Sequence, residues 1–245
     1  MTADHVVVGV DGSVVSVQAL DWAAEEAVRR GAGLRVPYAV PDRDEAAPVL
    51  GSAAARVCAR HPGLPVESVA AECGAVRAPA RASERAALTV VGTRGLGRLS
   101  GAVFGSVGRR LAARARGPLA VVRGDHPCGG GAARDVLLGP EGDTGGRAAA
   151  YAFQEAERRG GRLCVLHPVT RLVLARLREQ HPYVALESRA VPVRPPNALL
   201  DATGAAAVVV IGSRRPAGRS GRRPGPVARS LLHRARCPAV VVPAA

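Results

Sequence analysis

The sequence contains no lysine, and its positive charge comes from 34 basic residues, all arginine, against 20 acidic ones. The missing lysine excludes a Walker A phosphate loop, because the pattern G-x-x-x-x-G-K-[ST] depends on a lysine side chain. Arginine, alanine, glycine and proline are abundant together, which is typical of a GC-rich genome. The net charge of +14 is therefore weak evidence for a selected basic surface, although it is compatible with nucleotides, nucleic acid or anionic lipid as partners.

Aromatic residues are also scarce, at 2% of the chain, so the core must consist of valine, leucine and alanine. The chain offers few rings on which single-stranded bases could stack and shows no zinc-finger spacing, so nucleic acid is not a favoured partner. None of the five cysteines forms a C-x-x-C pair, which excludes the usual zinc and disulfide frameworks and favours reduced, mostly buried thiols.

The sequence contains no long apolar run. Its longest, residues 205–211, is far too short to span a bilayer, so no membrane partner is expected. The amino terminus passes directly into an apolar run without the charged and apolar parts of a leader peptide. We therefore expect a soluble, cytoplasmic protein.

Short apolar runs alternate with helical patterns over the first half of the chain. The predicted strands cover residues 5–10, 33–40, 66–71, 88–92 and 119–123. The predicted helices run from Ser13 or Ser16 to Gly31 and over 49–60, 79–87 and 107–116. This alternation predicts a parallel sheet with helices on both faces. Pro37 lies inside the second predicted strand and should interrupt the hydrogen-bond ladder there.

A glycine-rich segment, residues 92–106, joins the fourth predicted strand to a helix. Glycine lets backbone N–H groups turn inward, and a helix N-terminus adds unpaired donors, so such a loop suits a phosphate group. A dinucleotide fingerprint does not fit, because Gly97 is followed by Gly101, one residue too late for G-x-G-x-x-G. A flexible surface loop is the alternative interpretation.

The sequence repeats itself beyond a glycine-rich cluster at residues 125–133. The apolar run at 136–143 resembles that at 6–13, and the segment 147–160 resembles the first predicted helix. Segments 208–213 and 237–242 likewise resemble 89–93 and 117–122. An internal repeat of this size predicts two similar domains, residues 1–126 and 132–245.

The second copy departs from the first at polar and glycine positions. Glu141 stands in place of Asp11, and Arg215 in place of the glycine at 95. Pro226 replaces Ser106, which removes both a hydroxyl and an N–H donor. The net charge is +4 for residues 1–126 and +10 for 127–245. The arginines near 214–223 could form an anion-binding patch or a solvated loop.

The spacing of the loop glycines resembles the ATP-binding motif of the universal stress protein family. Gly92 and Gly95 are followed, after nine residues, by Gly105 and Ser106. The resemblance covers nearly the whole chain. It implies an α/β fold of two tandem doubly wound parallel-sheet domains, Rossmann-like and similar to the adenine-nucleotide alpha-hydrolases.

The resemblance also implies ATP as the cofactor, which Mg2+ can accompany. In this family the first-strand aspartate and the end of the second strand hold the nucleoside, and the loop holds ribose and phosphates. Arg94 and Arg98 are added because a guanidinium suits phosphate. The expected nucleotide-binding residues are Asp11, Val40 (with Ala39 as its alternative), Gly92, Arg94, Gly95, Gly105, Ser106 and Val107, with no catalytic or metal-binding residue. Asp11 could instead be a solvated aspartate at a helix start.

The predicted function is that of an ATP-binding regulator of the stress response. No base or water-positioning group is tied to the loop by the sequence, so we do not expect a catalyst. A weak ATP hydrolase and a nucleotide-independent scaffold or nucleic-acid-binding protein are the alternatives. The family pairs its domains through their fifth strands, so the two halves are expected to form a pseudo-dimer within the chain, and a homodimer is a further expectation.

Overall fold

The structure, a computed structural model, divides the chain into two compact units, Met1–Gly129 and Gly130–Ala245. It describes residues 5–39, 45–71, 77–93, 111, 116–124, 133–139, 146–165, 171–188, 200–213 and 226–243. Each unit contains a parallel sheet with helices in the connections between its strands. The predicted α/β class is confirmed.

The first unit has five parallel strands in the order β3-β2-β1-β4-β5. Its elements are β1 His5–Gly9, α1 Val14–Arg30, β2 Gly33–Ala39, α2 Ala46–Arg60, β3 Val66–Ala71, α3 Arg77–Ala82, β4 Leu88–Gly92 and β5 Leu119–Val122. The strand order reverses between β1 and β4, which are hydrogen-bonded neighbours. Ligands of open α/β sheets bind at such a reversal, beyond the carboxyl ends of the strands.

The second unit repeats this arrangement in the order β10-β9-β6-β7-β8. Its elements are β6 Val136–Leu138, α4 Arg147–Arg159, β7 Leu163–Val165, α5 Arg171–Gln180, β8 Leu186–Ser188, β9 Val208–Ser213, α6 Pro226–Arg234 and β10 Ala239–Pro243. Val136 pairs with Val208 as Val6 pairs with Leu88 in the first unit. The sequence repeat is therefore also a repeat of strand register.

The core of each unit is aliphatic, as the scarcity of aromatic residues predicted. Val6 and Val90 in the first sheet and Val208 in the second are fully buried. Trp22 on α1 is 7% exposed and Phe153 on α4 is 0% exposed. The one tryptophan is thus part of the packing of the first unit.

A buried glutamate recurs near the carboxyl end of the first helix of each unit. Glu26 on α1 is completely buried; it lies 2.9 Å from Arg29 and pairs with Arg30. Glu155 on α4 is 1% exposed and forms ion pairs with the two arginines that follow it at the same spacing. Burial of a charge without partners is costly, so these ion pairs compensate each buried carboxylate, and in each unit the second arginine of the two is nearly buried as well.

The third predicted helix is wrong in its bounds. It was expected at 79–87, but α3 covers Arg77–Ala82. The hydroxyl of Ser83 donates to the carbonyl oxygen of Ala80 at 2.6 Å, and the next two residues form tight i→i−3 turns. A serine hydroxyl competes in this way with helical hydrogen bonding. Smaller differences affect α2, which begins at Ala46, and β5, which ends at Val122.

Pro37 interrupts one side of β2 only. Pairing with β3 continues unbroken from Leu34 to Ala39. Regular pairing with β1 ends at Arg35, and one isolated bridge, Val10 to Tyr38, lies beyond it. The N–H of Val10 donates to the carbonyl oxygen of Pro37 at 3.4 Å, so this carbonyl faces β1. The nitrogen and the carbonyl of a strand residue point to the same side, so the nitrogen of Pro37, which has no hydrogen to donate, also faces β1. The predicted interruption is confirmed for the β1 ladder.

The described helices are too short or too polar for a bilayer-crossing segment. None of them combines the two properties that a membrane-crossing segment needs.

Candidate functional site

The carboxyl edge of the first sheet brings together Asp11 and Gly92. Gly9 at the end of β1 is paired with Val91 of β4, so the chain leaves these two neighbouring strands at the same edge. Asp11 lies two residues beyond β1 and is exposed. The first and fourth strands are thus neighbours, and the segment that follows Gly92 starts beside the turn that contains Asp11.

The turn between β1 and α1 holds the Asp11 carboxylate through the cap of the helix. Gly12 has a φ of +76°, a conformation that favours glycine. Oδ1 of Asp11 accepts hydrogen bonds from the backbone N–H of Ser13 at 3.1 Å and from its hydroxyl at 2.5 Å. The Ser13 hydroxyl oxygen in turn accepts from the N–H of Ser16 at 3.2 Å. Ser13 is thus the N-cap of α1, and it is one of the two residues predicted to begin this helix. Asp11 lies just before this helix start.

Gly92 has a packing role that sequence analysis missed. A Cβ atom at Gly92 would lie 2.9 Å from the carbonyl oxygen of Val15, in the first turn of α1. A Cβ at Gly124, just after β5, would lie 2.9 Å from Cγ2 of the same valine. Glycine at both strand ends therefore allows the start of α1 to lie against this edge of the sheet. Packing of α1 against the sheet therefore requires glycine at position 92, the first glycine of the motif, independently of any contact with a ligand.

A cavity of about 250 Å3 lies beside the turn, between α1 and α2. Its lining includes Val10, Gly12 and Val49. Arg56 is on its rim and makes a two-pronged ion pair with Asp21, at 2.7 and 2.8 Å. The cavity is mainly apolar with a cation fixed at one side. No motif in the sequence indicated it, since α1 and α2 approach each other only in the fold.

The remaining predicted site residues lie outside the described residues. They are Val40, Arg94, Gly95, Arg98, Gly105, Ser106 and Val107. In the second unit, Glu141 and Arg215 lie outside the described residues as well, and Pro226 is the first residue of α6. The site is therefore described at Asp11, at Gly92 and at the first turn of α1.

Two buried thiols are unsuited to nucleophilic chemistry. Burial raises the pKa of the Cys237 thiol to about 12, and burial together with the neighbouring Glu187 raises the pKa of the Cys164 thiol. Both therefore stay protonated at neutral pH.

The hydrogen bond from Arg162 lowers the pKa of Asp135. Within the described parts of the chain, no cluster of three or more His, Cys, Asp or Glu side chains could hold a metal ion.

The fold and the residues at the carboxyl edge of the first sheet indicate a class of protein, and comparison with known proteins supports it. The model of the universal stress protein family matches residues 2–57 and 52–123. A universal stress protein of Mycolicibacterium smegmatis is 30% identical over 288 residues, which cover 97% of this chain and 96% of that protein. One from Mycobacterium tuberculosis is 29% identical over 303 residues, covering 96% and 94%.

The fold is also similar to that of a solved structure. The crystal structure of a universal stress protein from Archaeoglobus fulgidus matches with a TM-score of 0.73 at 20% identity, over 99% of each chain. Together with the sequence relatives, this establishes the class suggested by the loop spacing. The chain belongs to the universal stress protein family. Both matches of the family model lie in the first unit.

Proposed function

We propose that this protein binds ATP in its first domain, residues 1–126, and acts as a nucleotide-binding regulator of the stress response rather than as a catalyst. The observation that carries the proposal is the pairing of β1 with β4, which places Asp11 beside the start of the glycine-rich loop. Membership of the family supports it, because its ATP-binding motif is matched by the spacing of this loop. The second domain, residues 132–245, is a structural partner in this proposal.

In the proposed complex, the Asp11 carboxylate accepts hydrogen bonds from the nucleoside. The Ser13 cap fixes this carboxylate and so reduces the conformational entropy lost on binding. The apolar cavity beside Gly12 offers volume for a base, with Val40 and Val107 as further contacts. Backbone N–H groups between Gly95 and Ser106, together with Arg94, take the phosphates, which Mg2+ can accompany.

The second domain lacks the same set of groups. Arg215 introduces a large side chain where the backbone would approach phosphate, and Pro226 has no N–H to donate. Nearby arginines can attract an anion but cannot replace a cradle of backbone donors. We therefore expect one ATP per chain. The pseudo-dimer of the two domains and the homodimer stay predictions.

Calorimetric titration of the full chain with MgATP tests this proposal. The expected stoichiometry is about one per chain. Asp11→Ala should weaken binding by about 10–100-fold, because a hydrogen bond to a charged group is lost. Glu141→Ala, the matched change in the second copy, should leave the affinity unchanged. Two equivalent sites per chain, or equal effects of the two substitutions, would contradict the proposal.

Phosphate release measured on the same samples separates a regulator from a hydrolase. We expect ATP to be held without useful turnover, because no general base is tied to the site. A steady rate of about one per second that is lost in Asp11→Ala would assign the protein to the hydrolases. A variant that no longer binds ATP but keeps its cellular function would favour the nucleotide-independent scaffold.

A further inference from the structure

A second cavity lies at the opposite edge of the first sheet, where the strands begin. Its volume is about 570 Å3, within the range of small-molecule sites. It is bordered by the carboxyl ends of α1 and α2 and by the segment that leads into β3. The residues that matter here are Val28, Gly31, Arg60, His61 and Leu64. Because it lies away from the edge that carries Asp11, it is independent of the proposed ATP site.

His61 in this cavity has a structural counterpart in the second unit, His181. The N–H of each histidine donates to the carbonyl oxygen four residues earlier, at 2.8 Å for His61 and 3.0 Å for His181. The carbonyl oxygen of each accepts from the N–H three residues later, at 3.0 and 3.2 Å. Each is followed by proline. The two histidines therefore terminate equivalent helices in the same way.

In the second unit, side chains of α4 cover the histidine. The ring of Phe153 stacks on the ring of His181, with centroids 5.7 Å apart and planes 18° apart. Oε2 of Glu157 lies 2.9 Å from Nδ1 of His181. An aromatic ring and a carboxylate thus complete the surroundings of this imidazole within the chain itself.

In the first unit, neither of these groups is supplied by α1. The helix ends align α1 with α4, since Gly31 donates to the carbonyl oxygen of Val28 at 3.1 Å, as Gly160 does to that of Glu157 at 3.0 Å. Val28 therefore takes the place of the carboxylate, and Ala24, four residues earlier, takes the place of the phenyl ring. Val28 is 53% exposed.

Among the described residues, the imidazole of His61 also has an unpartnered nitrogen, which is not the one that Glu157 contacts in His181. This nitrogen, Nε2, is buried, and no hydrogen-bonding partner for it is found in the described part of the chain. Arg60, beside it in the lining, is 44% exposed at its side chain, and its contact with Asp21 is long, at 4.0 Å. The cavity thus combines an imidazole, a guanidinium at the rim and the apolar surfaces of Val28 and Leu64.

We propose that this cavity binds a small aromatic carboxylate. The ring of the ligand lies against the part of the His61 imidazole that lines the cavity, and its carboxylate lies beside Val28, which stands where the second unit has Glu157. Arg60 at the rim adds a cation that favours an anionic ligand. In the second unit, Phe153 and Glu157 supply the aromatic ring and the carboxylate that a bound ligand supplies in the first unit.

The test uses the full chain with 3-phenylpropionate and benzoate as probes, followed by NMR of the imidazole resonances of the six histidines. We expect saturable shifts at His61 and none at His181. Cyclohexanecarboxylate, which lacks the flat ring, and benzamide, which lacks the charge, should each bind about 3–10-fold more weakly. Absence of saturable shifts at His61, or binding of either analogue as tight as that of benzoate, would overturn the proposal.

Val28→Glu gives the first unit the carboxylate of the second and should weaken probe binding at least about tenfold by occupying its place. The matched control is Val14→Glu, at the other end of α1, where the valine is 77% exposed and the charge change is the same. It should leave probe binding intact. Equal loss in both variants would refute the site. MgATP titration of Val28→Glu should be unchanged, so failure of the ATP proposal is distinguishable from failure of this one.

Discussion

Replacement of Glu26 by alanine is expected to lower the free energy of unfolding of the first unit by about 3–5 kcal/mol. The Glu26 side chain is fully buried, and the side chain of Arg30 that pairs with it is 5% exposed. The substitution would leave that guanidinium inside the protein without the carboxylate that compensates it. The cost arises from the charge that remains rather than from the contact that is lost.

Urea unfolding followed by tryptophan fluorescence measures this effect in the first unit. Trp22 is the one tryptophan of the chain and is buried on the same helix as Glu26. The control is Glu25→Ala, since Glu25 forms a more exposed pair with Arg29 at 3.2 Å, for which we expect a loss below about 1 kcal/mol. Similar losses in the two variants would show that the burial of Glu26 does not determine its contribution.

Replacement of Gly105 by valine is expected to abolish measurable ATP binding. In the family motif this glycine lets the backbone approach phosphate, and a branched side chain would block that approach. Ser106→Ala should have a milder effect, about 1–3 kcal/mol, for loss of one hydrogen bond to a charged group. Calorimetry on the full chain gives both values.

The repeat supplies a control for this prediction too. Gly225→Val changes the glycine that corresponds to Gly105 in the second copy, and it should leave ATP affinity unchanged. Circular dichroism would establish that both valine variants are folded. A folded Gly105→Val protein with unaltered affinity would refute the proposal that this loop binds phosphate.

Much of the fold could be predicted from local patterns. The bounds of β3 and β4 are those predicted from their apolar runs, and α1 ends at Gly31 in the left-handed conformation that glycine favours. The end of α3 could not be predicted, because it depends on which carbonyl the Ser83 hydroxyl contacts. Strand order also required the resemblance to a family, since alternation of helices and strands is compatible with several orders.

The candidate site was predicted in part. Placement of Asp11 beside β4 follows from the strand order, but the contact of Gly92 with Val15 does not, because it depends on how α1 crosses the sheet. Glu26 likewise looks in sequence like a member of a solvated charged face, since residues 25–30 contain two glutamates followed by two arginines. Burial of that glutamate and the cavity beside His61 are properties of tertiary packing, on which helical periodicity carries little information.

The proline within β2 has a consequence for the dynamics of the crevice. Val8 and Gly9 are held on one side by the regular ladder with β4, whereas on the other side the ladder with β2 stops before them and resumes at the bridge of Val10. The end of β1 that leads to Asp11 can therefore separate from β2 without breaking the hydrogen bonds at the start of the strand. Such partial opening requires less free energy than global unfolding. We therefore expect local opening of the first sheet to begin between the crevice ends of β1 and β2, where the ladder is interrupted.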